Sequence, residues 1–208
     1  MRLKTIAVVA SIFCLSCALS FAQSSGSSSS STQASTAAPT IASTLNSSLR
    51  GIEREIMAAA EAVPEDKFDF SPATANVAGD FKTPKPVRTM AQQFKHLAED
   101  VESSASGIMG EKAQSSPEEN GPANVKSKQE IIDYLKGAFA KAHSAIDTIN
   151  AQNAIEEIAN PYGGTRKVTR LGLAVGMIGH SNNHYGQIIE YLRMNNIVPP
   201  ESRPRPSR

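Results

Sequence analysis

The stretch GHSNNHYGQIIEYLRMNNIVPP, residues 179–200, contains two of the four histidines of the chain, His180 and His184. Its apolar residues recur at spacings of three and four, as in an amphipathic helix, and two prolines close it. Residues four apart lie on the same face of a helix, one turn from each other, so both imidazoles can point at a common ion. The stretch therefore predicts a helix that offers two metal ligands, and the site needs a third.

Three further segments carry the same apolar periodicity, so four helices are predicted in total. The third helix opens with a capping box, in which Ser127 precedes Glu130 by three residues. The chain shows neither an internal repeat nor an alternating strand pattern. These features predict an all-α fold, an antiparallel four-helix bundle with long connecting loops over residues 41–200. The predicted helices cover residues 43–63, 87–109, 127–153 and 167–195.

The apolar stripe of each helix predicts its buried face. For the fourth helix the predicted buried residues are Leu171, Val175, Ile178, Ile188, Ile189 and Leu192. The loop of residues 64–86 is rich in Pro, Gly, Asp and Asn, and its phenylalanines are expected to fold back onto the bundle. We expect this loop to shape the cleft of the site.

The N-terminal residues 1–22 have the pattern of a secretory signal peptide. Arg2 and Lys4 precede an apolar run, which ends at the small residues that flank Phe21. The run is short for a membrane span of about 20 residues, so no stable anchor is expected after cleavage. We therefore predict an exported protein, periplasmic or extracellular. Both cysteines, Cys14 and Cys17, lie inside the signal, so the mature chain has no disulfide.

Composition defines the two flanking segments and excludes some partners. Residues 23–40 are mainly Ser, Thr and Ala and are predicted to be a disordered linker, and residues 201–208 a flexible tail. The chain has 21 basic and 20 acidic residues, and removal of Arg2 and Lys4 leaves 19 against 20, a charge of about −1. Nucleic acid and anionic membrane surfaces are therefore not expected as partners.

The third metal ligand has two candidates, His96 on the second helix and His143 on the third. His96 lies beside the apolar stripe, where its ring can turn into the bundle. His143 follows Lys141 and is expected to be a solvated histidine or an outer partner of the site. Glu99 and Asp100 follow His96 by about one turn, where they either orient a ring and accept a proton or lie as surface carboxylates.

The predicted site is thus a set of three imidazoles, His96, His180 and His184, without a fourth protein ligand. Such a set suits Zn, Ni or a similar divalent ion and leaves a position open for water or a small-molecule substrate. The H-S-N-N-H segment lacks the glutamate of H-E-x-x-H, which disfavours a zinc protease of that type.

The segments RTMAQQFKHLAED, residues 88–100, and GHSNNHYGQIIEYLRMNNIVPP together resemble the DinB family of metal-dependent four-helix bundles. The resemblance covers roughly residues 41–200 and implies the same three ligands, His96, His180 and His184. Many family members have Arg after the last histidine, where this chain has Tyr185. Any contact with an anionic group made by that Arg is therefore not expected here.

The family includes transferases and isomerases that use low-molecular-weight thiols, together with many members without known activity. The resemblance thus implies a metal-dependent enzyme, either like a thiol S-transferase or like a hydrolase. The alternative is a non-catalytic bundle that holds a metal or a small ligand. The catalytic residues are left unassigned, and a homodimer is left open. Because such thiols are mainly cytoplasmic, the predicted export weakens the transferase interpretation.

Overall fold

The computed structural model describes residues 38–74, 87–111 and 119–204. Within these ranges the chain forms four α-helices and one two-stranded antiparallel hairpin. The predicted all-α four-helix fold is confirmed. The helices are α1 Ile41–Ala62, α2 Met90–Met109, α3 Lys128–Asp147 and α4 Arg170–Met194, and the strands are β1 Glu157–Ile158 and β2 Val168–Thr169. Short 3-10 turns occur at Glu65–Lys67, Pro72–Thr74 and Pro200–Ser202.

Each α-helix begins after a Ser or Thr whose side chain accepts a hydrogen bond from a backbone N–H of the first turn. The predicted capping box is present: the Ser127 hydroxyl accepts from the Glu130 backbone N–H, and the Glu130 carboxylate accepts from the Ser127 N–H at 2.8 Å. Helix α2 begins three residues later than predicted because Thr89 caps it by accepting from the Gln92 N–H.

Helices α2 and α4 run antiparallel and together carry the candidate site. Near the start of α2, the Gln93 amide donates to the Tyr191 hydroxyl at 3.3 Å, close to the end of α4. Near the other end of α2, Gly107 lies against Leu173 of α4, and a Cβ at Gly107 would lie 2.9 Å from it. Helices α1 and α3 are antiparallel as well.

Helices α2 and α3, by contrast, run in the same direction. The Tyr134 hydroxyl of α3 lies 3.4 Å from the Glu102 carboxylate, and Lys141 lies one to two turns further along, 2.7 Å from Ser106. In chain order, the four helices therefore run up, down, down and up. It is made possible by the long connection between the two helices, of which residues 119–122 lie beside the first half of α2.

The predicted buried faces of α1 and α3 are confirmed, whereas that of α4 is partly wrong. Val175 was predicted to be buried but is 54% exposed, and the face turned to the core contains Ser181 and His184, which are 0% and 4% exposed. The Ser181 hydroxyl donates to the Met177 carbonyl one turn earlier, so its burial leaves no unpaired proton. Polar residues at buried positions made the apolar pattern misleading.

Two other features differ from the sequence prediction. Helix α3 ends at Asp147 rather than near 153, because side-chain oxygens of Asn150 and Asn153 accept hydrogen bonds from the backbone N–H groups of this turn. The hairpin was not predicted, since two strands of two residues each are too short to show an alternating pattern. It precedes α4 and carries the loop that lies over the site.

The remaining predictions concern the loop and the chain ends. Phe68 is buried, and Phe70 packs edge-on against Tyr191, so the described part of the 64–86 loop does fold back onto the bundle. The predicted signal peptide and most of the predicted linker lie outside the described residues, as do residues 75–86 and 205–208. The flexibility of the tail stays a prediction. In the part of the chain that is described, no helix has the length and apolarity needed to cross a membrane.

Candidate metal centre

The antiparallel packing of α2 and α4 brings His96 opposite His180 and His184. The three rings face each other edge to face, with centroids 4.4–5.6 Å apart. One nitrogen of each ring lies within 4.8 Å of the others. The structure thus brings together all three histidines that the sequence predicted as ligands.

The donor atoms fit a small divalent ion. Nε2 of His96 and Nε2 of His180 are 3.4 Å apart. Two nitrogens bound to a tetrahedral zinc at the usual bond length of about 2.05 Å lie about 3.3 Å apart, so this pair already has ligand spacing. Three imidazoles are also a donor set that divalent zinc, nickel or cobalt accepts.

The orientation of His184 is fixed by Gln93. The Gln93 side-chain nitrogen donates to Gln187 Oε1 at 3.0 Å and to the Tyr191 hydroxyl at 3.3 Å, so its oxygen faces His184 Nδ1, at 2.7 Å. His184 therefore donates through Nδ1 and leaves the lone pair of Nε2 available. Tyr191 in turn donates to the Arg88 carbonyl at 3.0 Å, which anchors the network to the start of α2. A hydrogen-bonded partner behind a ring is typical of metal-binding histidines.

The electrostatic surroundings keep two of the rings neutral. Burial first, then the neighbouring His180 and His96 rings and the Arg88 guanidinium, lower the pKa of His184 to about 3. Burial, followed by Arg88 and His180, also lowers the pKa of His96, against a smaller opposing effect of the Asp100 carboxylate. Neutral imidazole is the form that binds a metal ion, so these rings do not need to lose a proton at neutral pH.

The two carboxylates that follow His96 have different positions. Asp100 is well shielded, with a side chain 12% exposed, and its Oδ1 lies 3.9 Å from His180 Nε2. It is therefore not a surface carboxylate. Glu99 lies on the wall of a cavity beside the histidines and interacts electrostatically with Tyr134 of α3.

A cavity of about 760 Å³ opens beside the histidines. His96 and His180 line it, and another part of its wall consists of residues 158–163, the end of β1 and the loop toward β2. The 64–86 loop was expected to form this wall, but none of its described residues, 64–74, lies there. The hairpin was unpredicted, so its loop had no assigned role.

Tyr162 is one of the residues of this wall. Its hydroxyl donates to the Asp100 carbonyl at 3.3 Å and lies 2.6 Å from Ser104 Oγ, so the loop is tied to α2. Gly163 and Gly164, with φ of 89° and 82°, make the turn that follows, a conformation that favours glycine. A second cavity, of about 590 Å³, lies on the far side of Tyr162 and also reaches His180.

His143 does not join the cluster. It lies between α3 and α1, where Nδ1 is 2.6 Å from Asn46 Oδ1 and Nε2 is 2.9 Å from Glu53 Oε2. Its side chain is 23% exposed. It is thus neither a ligand nor an outer partner of the three histidines, and it is held by side chains rather than by solvent alone.

Sequence reasoning missed Gln93 and Tyr162. The signal for Gln93 was present: it precedes His96 by three residues and interrupts the apolar stripe between Met90 and Phe94, yet is only 2% exposed. A polar residue on a buried stripe, one turn from a candidate ligand, indicates a partner for a ring. Tyr162 had no such signal, because its position depends on the hairpin.

Comparison with known proteins identifies the family of this chain. Residues 48–188, which include the three histidines, match the DinB superfamily. No curated protein matches the chain. Among solved structures, a DinB-like protein of Bacillus subtilis, YjoA, is 16% identical over 78% of this chain and 99% of that one, with a TM-score of 0.58. A conserved protein of Enterococcus faecalis is 17% identical over 76% and 98% of the two chains, with a TM-score of 0.56. At this identity the two structures share the fold, and the sequence match shows that the protein belongs to the DinB superfamily.

Proposed function

We propose that the protein binds one divalent metal ion through His96, His180 and His184 and acts as a metal-dependent enzyme on a small molecule. The observation that supports this most is the convergence of three ring nitrogens, two of them on the wall of a cavity large enough for a substrate. A closed structural metal site would not need such a cavity.

The chemistry follows from what each group can do. A divalent ion held here would supply Lewis acidity, either to polarise a substrate oxygen or to acidify a bound water or thiol. Gln93 keeps the His184 ring in place, and Tyr162 ties the loop that lines the cavity to α2. Asp100 is the carboxylate nearest to His180 on the cavity side.

Of the two reactions that the family resemblance implies, we favour hydrolysis over thiol transfer. A hydrolase needs only water as co-substrate, whereas a transferase needs a low-molecular-weight thiol, which an exported protein seldom meets. Zinc, nickel or a similar ion would serve.

The metal proposal is tested by reconstitution. Purified protein is stripped with a chelator, dialysed separately against Zn²⁺, Ni²⁺ and Co²⁺, and its metal content is measured by elemental analysis. We expect about one ion per chain and a higher melting temperature, since an ion that binds only the folded state stabilises it by RT ln(1 + [L]/Kd), about 2.7 kcal/mol at one hundred times Kd. Absence of metal after reconstitution would contradict the proposal.

The enzyme proposal is tested on the reconstituted protein. Panels of ester, amide and phosphoester substrates and of thiol-transfer reactions are assayed with and without chelator. Turnover that chelation abolishes and metal restores supports an enzyme, and the panel distinguishes hydrolysis from thiol transfer. Full metal occupancy without turnover in any assay favours the non-catalytic binding protein.

We further propose that the protein is exported. The support is the basic start, the apolar run and the small residues around Phe21, all within the first 22 residues. The intact mass of protein purified from its native host decides this. We expect a chain that begins near Gln23, and a cytosolic chain that still begins at Met1 would contradict export.

A further inference from the structure

The shielded carboxylate of Asp100 has no assigned role in the proposed site. It lies four residues after His96, hence on the same side of α2, and its Oδ1 is 3.9 Å from His180 Nε2. With a metal–nitrogen bond of about 2.1 Å, an ion bound to His180 lies within about 6 Å of this oxygen. Asp100 is also a wall residue of both cavities that reach His180. It therefore stands beside the position at which an external ligand would reach the ion.

Asp100 is placed next to this position rather than among the ligands. Within the described residues, the side chains close enough to share one ion are the three histidines, and Asp100 is not part of that set. A carboxylate in such a place accepts hydrogen bonds and repels negative charge. It does so strongly where water is largely excluded, as its 12% exposure indicates.

The other charges on the wall of the larger cavity also repel anions, as Asp100 does. Its described wall residues include the carboxylates of Glu99, Asp100, Glu111 and Glu119 and neither Lys nor Arg. Glu111 is paired with Lys141 at 3.0 Å. The Arg88 guanidinium lowers the pKa of His96 more than the Asp100 carboxylate raises it, but it is not part of the cavity wall and lies 3.3 Å from the Glu119 carboxylate.

We infer that Asp100 is a specificity residue: it makes the open coordination position favour uncharged, proton-donating ligands, such as water, alcohols or amines, over anions. This inference rests on the proposed metal site and adds the class of ligand that the site accepts. Coordination of an O–H or N–H group would let that group donate to Asp100, whereas an anion without a proton is repelled by the negative charge of the carboxylate.

The test uses the Co²⁺-loaded protein, whose visible spectrum reports binding of an external ligand. Two probes are titrated: azide, an anion without a proton at neutral pH, and pyridine, which has neither charge nor an N–H group. Asp100→Asn keeps the shape of the side chain and removes its charge. We expect it to retain cobalt, to bind azide about tenfold or more tightly than the parent, and to bind pyridine within about twofold of the parent.

Glu111→Gln is the matched control, because it removes one negative charge from the wall of the same cavity, where Glu111 is paired with Lys141. We expect azide binding to change by less than about twofold there, since the charge is more distant and screened by Lys141. Asp100→Ser provides a second variant with the same expectation as Asp100→Asn, should the latter fold poorly by circular dichroism.

Three results would overturn the inference. Unchanged azide affinity in folded Asp100 variants would show that the charge does not act on the open position. An equal gain in azide affinity in Glu111→Gln would show that the effect belongs to the charge of the cavity as a whole and not to Asp100. Loss of cobalt binding in folded Asp100→Asn would indicate that Asp100 is itself a ligand of the ion. Each leaves the proposed function intact, whereas a parent protein that takes up no cobalt contradicts both proposals.

Discussion

His143 and His184 each bridge two helices, yet their two ring nitrogens are used in different ways. His143 has an acceptor on both sides: Glu53 faces Nε2, and the oxygen of Asn46 faces Nδ1, because the Asn46 amide nitrogen donates to Asp147 at 2.7 Å. Both nitrogens of that ring therefore face protein oxygens. His184 has an acceptor, Gln93, on one nitrogen only, and its other nitrogen turns toward two more imidazoles.

This comparison separates a histidine that holds helices together from one that is prepared for ligation. Burial does not separate the three clustered histidines from His143, since His184 is 4% exposed while the side chains of His180 and His143 are 36% and 23% exposed. The number of protein acceptors around the ring does separate His143 from His184: His143 has two and His184 has one. Four substitutions, in decreasing order of the change that each should cause, test whether these protein acceptors explain the difference.

The largest effect is expected from His96→Ala. Removal of one of three ligands should abolish stoichiometric metal binding and, with it, the rise in melting temperature on metal addition, because two imidazoles from one helix hold an ion weakly. Elemental analysis and thermal unfolding with and without chelator measure both. His143→Ala is the control and should retain full metal. Full occupancy in His96→Ala would show that the three-histidine assignment is wrong.

Gln93→Leu should weaken metal binding by about 10–100-fold without removing a ligand. The leucine leaves His184 Nδ1 without its acceptor at 2.7 Å, so the ring is no longer held with Nε2 toward the cluster. Competition with a chromophoric chelator gives the metal affinity. Gln187→Leu is the matched control, as it removes a neighbour of Gln93 but leaves the bond to His184. Equal losses in both variants would indicate a general disturbance of α4.

The sequence was sufficient for the fold because burial follows a simple repeat on three of the helices. Leu49, Ile56, Leu135 and Ile146 are all fully buried, as their spacing predicts. On α4 the repeat is broken by Ser181 and His184, which apolar periodicity alone assigns to the wrong face. Helix directions depend on how the long connections return, which the sequence does not encode locally.

The site was predictable in its ligands and not in its surroundings. His96 was identifiable because a histidine at the edge of an apolar stripe can turn inward, and helix spacing aligns the other two. The wall formed by Tyr162 depends on a hairpin of two-residue strands and on contacts between distant residues, such as the bond to the Asp100 carbonyl. These depend on tertiary packing, so no local pattern indicates them.

Asn46→Ala is expected to lower stability by about 1–3 kcal/mol and to leave metal binding unchanged. Asn46 is 5% exposed and links His143 to Asp147, so its removal leaves His143 Nδ1 and the Asp147 carboxylate without their shared partner. Urea unfolding of the metal-free protein gives the stability, and elemental analysis the metal content. A variant that also loses metal would show that the two histidine regions are coupled.

The smallest effect is expected from Glu53→Gln, which changes the more exposed of the two contacts of His143. The Glu53 side chain is 28% exposed, and its carboxylate accepts from His143 Nε2 at 2.9 Å. A partly solvated pair contributes less than about 1 kcal/mol, and the glutamine oxygen still accepts the same hydrogen bond, so only the charge is lost.

The free energies of unfolding of Glu53→Gln and Asn46→Ala, each measured at low and at high salt, compare the two contacts of His143 under the same conditions. We expect the cost of Glu53→Gln to shrink further at high salt, while that of Asn46→Ala persists because it arises from an unpaired buried group. A cost for Glu53→Gln that equals that of Asn46→Ala would mean that His143 depends mainly on the ion pair, and that two acceptors are not what distinguishes this histidine from His184.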